Sequence, residues 1–314
     1  MRSMAATTSV PREGGHDGDA PGGHDRYGPE GRSAWLEVDW RRHQRWVAVE
    51  GQPVNVIELG EGPPLVFVHG LGGSWPNWLE QLPVFAHDHR VVALDLPGFG
   101  HSPKPRWKIT ISAYARLLEG LLEELAIPSA ALVGNSMGGF ISAELALASP
   151  ARVERLALVS PAGISTEGYD PHLPTLRRLE RILAASTGWL AAHSETVERR
   201  PRLRTATLSI VARHPAQLPA PLAAEQLRGA GKPGFLDALG AVVTYPLRER
   251  LRQIACPTLI VWGANDPLIP MRDAEVFEQL IPGARKVVLP DTGHVAMFER
   301  PALFNELLRE FLGD

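Results

Sequence analysis

The sequence predicts an α/β fold: a mostly parallel sheet with helices on both faces, interrupted by a helical insertion. Three observations predict it. Short apolar runs alternate with helical patterns from about residue 45 to 160, and again from about 257 onward. That order suits strands joined by crossover helices. One run, Ala130 to Val133, passes straight into Gly134-Asn135-Ser136-Met137-Gly138-Gly139 and then into the small-residue pattern Phe140 to Ala148. This reads as a strand, a sharp turn and a helix. Between about Ala162 and Leu247 the alternation stops and no strongly apolar strand is found. A segment of that length is too long for a plain loop.

Residues 1 to 33 are poor in large apolar side chains and rich in Gly, Pro, His and Asp. They cannot bury enough surface to offset ordering entropy, so a disordered tail is expected. Its two Gly-Gly-His-Asp copies could hold a metal weakly, but a solvated tail is the favoured reading.

The first part of the core is expected over 34–161. Arg45 to Glu50 and Val54 to Leu59 read as antiparallel strands around a Gly51-Gln52-Pro53 turn. Pro64 to Val68 is continuously apolar, as in a strand buried on both faces. Trp75 to Phe85 reads as a short helix and Arg90 to Leu96 as the next strand. In Ile109 to Leu125, Tyr114, Leu117, Leu118, Leu121, Leu122 and Leu125 fall on one helical face, with Thr110 or Ser112 as cap. Val153 to Val159 is a further strand.

A helical cap is expected over 162–247. Leu173 to Leu190 and Thr196 to Ala212 look helical, with prolines dividing the rest. Leu176, Leu179, Ile182 and Leu183 would supply an apolar roof. The core resumes over 248–314. Pro257 to Trp262 and Ala284 to Leu289 read as strands, and Met271 to Leu280 and Pro301 to Leu312 as helices. The total is eight strands.

Composition excludes several classes. Hydrophobic residues make up 44% and charged residues 21%, and the formal net charge is −3. Nothing in that balance points to nucleic acid or an anionic membrane. No run has the length of a membrane-spanning helix, and the N-terminus lacks the apolar stretch of a secretory signal. A cytoplasmic location is expected. The single cysteine, Cys256, precedes an apolar strand and reads as a small hydrophobe.

Open α/β sheets place ligands at strand-end loops. Four such loops carry notable residues: His69-Gly70-Leu71-Gly72-Gly73, Gly134 to Gly138, Gly263-Ala264-Asn265-Asp266-Pro267 and Asp291-Thr292-Gly293-His294. A serine hydroxyl is a weak nucleophile and needs a base. Histidine suits that task near neutral pH. A carboxylate must then fix the tautomer of the ring. Ser136, Asp266 and His294 occur in that order, each at the end of an expected strand. Asp266 before Pro267 also suits a turn or cap, and Asp291, three residues before His294, is the competing acid, but the spacing favours Asp266. His69, His101 and Asp95 read as loop-shaping residues, and Trp75 and Trp78 as helix core.

On these motifs the chain resembles the α/β-hydrolase superfamily from about residue 45 to the end. The resemblance rests on His69-Gly70, Asp95-Leu96-Pro97-Gly98-Phe99-Gly100-His101-Ser102, Gly134 to Gly139, Asp266 and Gly293-His294. It implies an eight-stranded α/β-hydrolase sheet with a serine nucleophile. It implies an oxyanion hole from the backbone N–H groups of Met137 and Leu71, with Gly72 as the alternative donor. Gly72 and Val295 would border the substrate, together with Leu71 and Met137. No cofactor or metal is implied. The expected partner is a small apolar ester, and the oligomeric state is left open.

Ser136 rather than Asp separates the chain from the dehalogenase and epoxide-hydrolase branches. The Gly-Asn-Ser-Met-Gly-Gly turn resembles that of carbon–carbon bond hydrolases of aromatic-ring degradation. The chain lacks their Gly-Pro-Gly after His69-Gly70 and their tryptophan near His294. A serine esterase is therefore the favoured reading. Carbon–carbon bond hydrolysis, a ligand receptor on the same fold, and a perhydrolase side activity are the alternatives.

Overall fold

A computed structural model describes residues 26–165, 193, 196, 199–229 and 231–313. Eight strands form one sheet in the order β1-β2-β4-β3-β5-β6-β7-β8. They are β1 (Gln44–Val49), β2 (Gln52–Leu59), β3 (Pro64–Val68), β4 (Arg90–Leu94), β5 (Ala130–Asn135), β6 (Val153–Val159), β7 (Thr258–Gly263) and β8 (Arg285–Leu289). β2 pairs antiparallel with β1 and β4, and every other pairing is parallel.

Alternation along the strands sends side chains to two separate cores. Val66 and Val68 join Leu132, Phe140 and the helix α2 (Ile111–Glu124) on one face. Leu65 and Phe67 join Trp78, Val133 and Phe304 on the other. Both faces of the central strands are therefore buried, as their unbroken apolar runs require. Helix α2 starts where expected, because the Thr110 hydroxyl accepts from the Ala113 amide at 3.0 Å.

Two local readings are corrected. The β1–β2 turn is at Glu50-Gly51, both at positive φ, and not at Gly51-Gln52-Pro53. Pro53 pairs with Ala48, while the β2–β4 pairing begins only at Val56. A residue without an N–H is tolerated there because no second neighbour needs one. The expected helix over Trp75 to Phe85 is two pieces, a 3₁₀ turn Trp75–Trp78 and α1 (Leu82–Phe85). Each piece has proline in its first turn, and proline starts helices better than it continues them.

The tail expectation over residues 1 to 33 is corrected at its end, where residues 26–33 pack against the core; residues 1–25 lie outside the described residues. Tyr27 donates to Glu299 at 2.7 Å, and Ser33 donates to Glu80 at 2.7 Å. The Gly-Gly-His-Asp copies lie outside the described residues.

The core continues through α3 (Met137–Ala148) and β6. Between β6 and β7 the described residues form α4 (Pro201–Leu208), α5 (Ala220–Arg228) and α6 (Phe235–Thr244). The helix expected over Leu173 to Leu190 lies outside the described residues, as do Leu176, Leu179, Ile182 and Leu183. Then follow α7 (Arg272–Leu280), α8 (Ala296–Glu299) and α9 (Pro301–Leu312). Among the described residues no helix is long and apolar enough to cross a membrane.

Candidate active site

Ser136 sits between β5 and α3 with φ 53° and ψ −118°. Few non-glycine residues adopt such a backbone, and it persists only where the surroundings enforce it. Here they do. The Ser136 amide bonds the Val159 carbonyl at 2.9 Å, and the Ser136 carbonyl accepts from Phe140 at 3.1 Å. A Cβ on Gly134 would lie 2.4 Å from the Gly138 carbonyl oxygen, and one on Gly138 would lie 2.1 Å from that of Val68. Strand and helix thus approach too closely for any side chain, and the turn is forced sharp. Ser136 remains half-buried, while Asn135 and Met137 on either side are buried.

The loop after β3 lies against this turn. A Cβ on Gly70 would come within 3.1 Å of the Ser136 Cβ. His69 holds the loop in place. Its Nδ1–H donates to the Gly70 carbonyl at 2.7 Å, and its Nε2 accepts from the Leu96 amide at 3.0 Å. Both ring nitrogens are occupied, and burial holds the ring below its ordinary pKa. His69 is therefore a neutral architectural residue. His101 differs, because its exposed ring is 3.7 Å from Asp95 while its backbone amide bonds that carboxylate at 2.8 Å.

Asp95 also accepts from the Asn55 side chain and the Trp75 amide, each at 2.8 Å. Burial works against its charge, but the hydrogen bonds from His101 and from the Trp75 amide prevail and hold the carboxyl below its usual range. Of the two tryptophans, Trp78 is fully buried beside Phe67, whereas Trp75 is half-buried against Trp40.

Met137 is the first residue of α3, so its N–H has no acceptor within the helix. Leu71 and Gly72 likewise donate to no backbone carbonyl among the described residues. Gly72 has φ 75°, and a Cβ there would meet the Phe235 ring at 3.4 Å. This brings the start of α6 over the loop.

Asp266 and His294 come together from the ends of β7 and β8. Asp266 Oδ2 lies 2.7 Å from His294 Nδ1. A carboxylate only accepts, so Nδ1 carries a proton, and in the neutral ring Nε2 is then the acceptor. The other Asp266 oxygen accepts from the amides of Leu268 and Ile269 at 2.8 and 2.9 Å. Asp291 points elsewhere, bonding the His214 ring at 2.8 Å and Arg213 at 3.4 Å.

Two residues in this region escaped sequence reasoning. Asn135 donates to the Val159 carbonyl at 3.1 Å and to the His294 carbonyl at 3.2 Å, tying the serine turn to the histidine loop. Glu299, fully buried, accepts from the amides flanking His294, those of Gly293 at 3.0 Å and Val295 at 3.2 Å. Val295 itself is buried with Ala212, Met297 and Phe298, in the support of the loop. No spacing rule signals Glu299. Asn135 was legible only as part of the glycine-rich turn.

A sheet that ends in a strained serine turn, with a histidine–aspartate pair on adjacent strand ends, defines a class of enzyme architecture. The chain belongs to the α/β-hydrolase fold family, whose description matches residues 63–301. It is 28% identical over 292 residues to a 2-hydroxy-6-oxo-2,4-heptadienoate hydrolase of Pseudomonas putida, covering 85% of this chain and 95% of that one. It is 31% identical over 267 residues to a pimeloyl-[acyl-carrier protein] methyl ester esterase of Aeromonas hydrophila, covering 83% and 99%. The crystal structure of the enol-lactonase from Burkholderia xenovorans LB400 superposes with a TM-score of 0.70 at 25% identity, covering 86% of this chain and all of that one.

Proposed function

We propose that this chain is a serine hydrolase that cleaves carboxylic esters of small apolar substrates through an acyl-enzyme. The observation that carries the reading is the 2.7 Å Asp266–His294 contact, on a loop that Asn135 ties to the turn bearing Ser136. In this mechanism Ser136 Oγ attacks the ester carbonyl, and His294 Nε2 takes its proton. The amides of Met137 and Leu71 hold the oxyanion, each donor contributing about 2.7–4 kcal/mol in the transition state. His294 returns the proton to the leaving alcohol, and water then resolves the acyl-enzyme. Leu71 and Phe235, both partly buried and apolar, support an apolar site beside Gly72. The esterase relative supports the same reading.

Carbon–carbon bond hydrolysis by the same residues is the second reading, favoured by the heptadienoate hydrolase relative. One experiment tests both. A fluorophosphonate probe should add its mass to the wild type and not to Ser136→Ala. Turnover in that variant should fall by roughly 10⁶. Short-chain nitrophenyl esters and a 2-hydroxy-6-oxo-dienoate are then compared as substrates. Preference for the dienoate selects the second reading, and a fully active alanine variant removes Ser136 from the reaction.

A further inference from the structure

Glu299 gathers donors from three parts of the chain. The His294 loop supplies the Gly293 amide at 3.0 Å from both carboxylate oxygens, and the Val295 amide at 3.2 Å from one. The segment after α4 supplies the Arg213 amide at 2.7 Å. The N-terminal arm supplies the Tyr27 hydroxyl at 2.7 Å, and the Gly28 amide bonds the Glu299 backbone carbonyl at 2.6 Å.

Packing allows no slack at this junction. A Cβ on Gly293 would lie 2.7 Å from the Val211 carbonyl oxygen and 2.9 Å from Glu299 Oε1. The Val211 carbonyl in turn accepts from the His294 amide at 2.7 Å. The backbone amides of Gly293, His294 and Val295 are thus all clamped, two of them by one carboxylate. Tyr27 is set in its own frame. Its hydroxyl accepts from the His214 amide at 2.9 Å, and Arg300 lies over its ring at 5.2 Å. An ionised carboxylate suits such a place because both oxygens only accept. An amide would turn an NH₂ group against donors.

We propose that Glu299 is the positioning residue of His294, and that Tyr27 of the N-terminal arm completes the clamp. The proposal rests on the hydrolase reading of Ser136, Asp266 and His294. Glu299 lies behind the loop and acts through the backbone. It sets where Nε2 stands relative to the Ser136 hydroxyl, and so acts on the chemical step rather than on substrate binding. Small misplacements of a reacting group are costly, on the order of 10²-fold for about 1 Å.

The test uses the full chain with a short-chain nitrophenyl ester and the fluorophosphonate probe. Glu299→Gln should lower kcat and the labelling rate by roughly 10²-fold, with KM within about threefold of wild type. The far-downfield proton resonance of the His294–Asp266 hydrogen bond should broaden or vanish in the variant. Tyr27→Phe keeps the carboxylate and removes one donor. It should lower kcat by about three- to tenfold, the size of one net hydrogen bond, again at constant KM. If Glu299→Gln does not fold, the tyrosine variant decides. Wild-type kcat in a folded Glu299→Gln, a fall confined to KM, or an unaffected Tyr27→Phe beside an unfolded Glu299→Gln each overturns the proposal. A wild type that the probe does not label overturns the hydrolase reading first, and the positioning role falls with it.

Discussion

Asp266–His294 and Asp291–His214 are both aspartate–histidine pairs, at 2.7 and 2.8 Å. Asp291 is three residues from His294, so the pairs are neighbours in the chain. Their settings differ. The Asp266 and His294 side chains are 0% and 4% exposed, and those of Asp291 and His214 are 52% and 33% exposed. Asp266 also takes two backbone amides, and His294 is held by Asn135 and Val211. Asp291 shares its carboxylate with Arg213. Contact distance alone does not make a chemical pair. Low dielectric strengthens the inner contact, the Leu268 and Ile269 amides fix the carboxylate, and the backbone bonds fix the loop that carries the ring. Water screens the outer pair, and such surface pairs contribute little.

The comparison breaks most visibly on the acids. Asp266→Asn should lower kcat by roughly 10⁴, because an amide no longer enforces the Nδ1–H tautomer. Asp291→Asn should leave kcat within about twofold, as expected for a surface change. Steady-state kinetics of the two variants on one ester decides between them. A reversed ranking would transfer the acid role to Asp291.

A smaller effect tests the scaffolding of the inner pair. Asn135→Ala removes the donor to the His294 carbonyl, while the Val159 carbonyl still receives the Ser136 amide. The variant should lose about 1–3 kcal/mol of stability from the unpartnered carbonyl and roughly tenfold in kcat. Denaturant titration and kinetics read the two separately. Unchanged kcat would mean that the histidine loop does not need its tie to the serine turn.

The smallest effect belongs to the outer pair. The hydrogen bond from His214 holds the Asp291 carboxyl below its ordinary value of 3.8. A depressed folded pKa adds stability above the unfolded value, and that stability is lost as pH falls through the folded one. The melting temperature of Asp291→Asn should therefore sit slightly below wild type at neutral pH. The gap should stay constant down to about pH 4 and close below it. A gap that widens in acid would contradict the sign of the shift.

Much of this arrangement is legible in the sequence. The strands from Pro64 to Val68 and Val153 to Val159 and the helix Pro301–Leu312 lie where their apolar periodicity puts them. Local propensity and burial agree there. The segment Trp75 to Phe85 divides in two because Pro76 and Pro83 each start a new short helix. The arm around Tyr27 packs against the core despite its composition, because composition carries no record of a single well-seated aromatic.

The chain order of Ser136, Asp266 and His294 and the glycines of the turn are determined by the sequence itself, since each expresses a local steric or chemical demand at a strand end. Spacing already favours Asp266 over Asp291, and what the tertiary structure adds is the 2.7 Å contact with His294 and the turning of Asp291 towards His214 and Arg213. The seating of Phe235 over Gly72, and the gathering of Tyr27, Arg213, Gly293 and Val295 on Glu299, were decided only by the tertiary structure. Tyr27 and Glu299 are separated by 272 residues along the chain. No local pattern records a contact of that kind, because it exists only once the sheet, the segment after α4 and the N-terminal arm have packed.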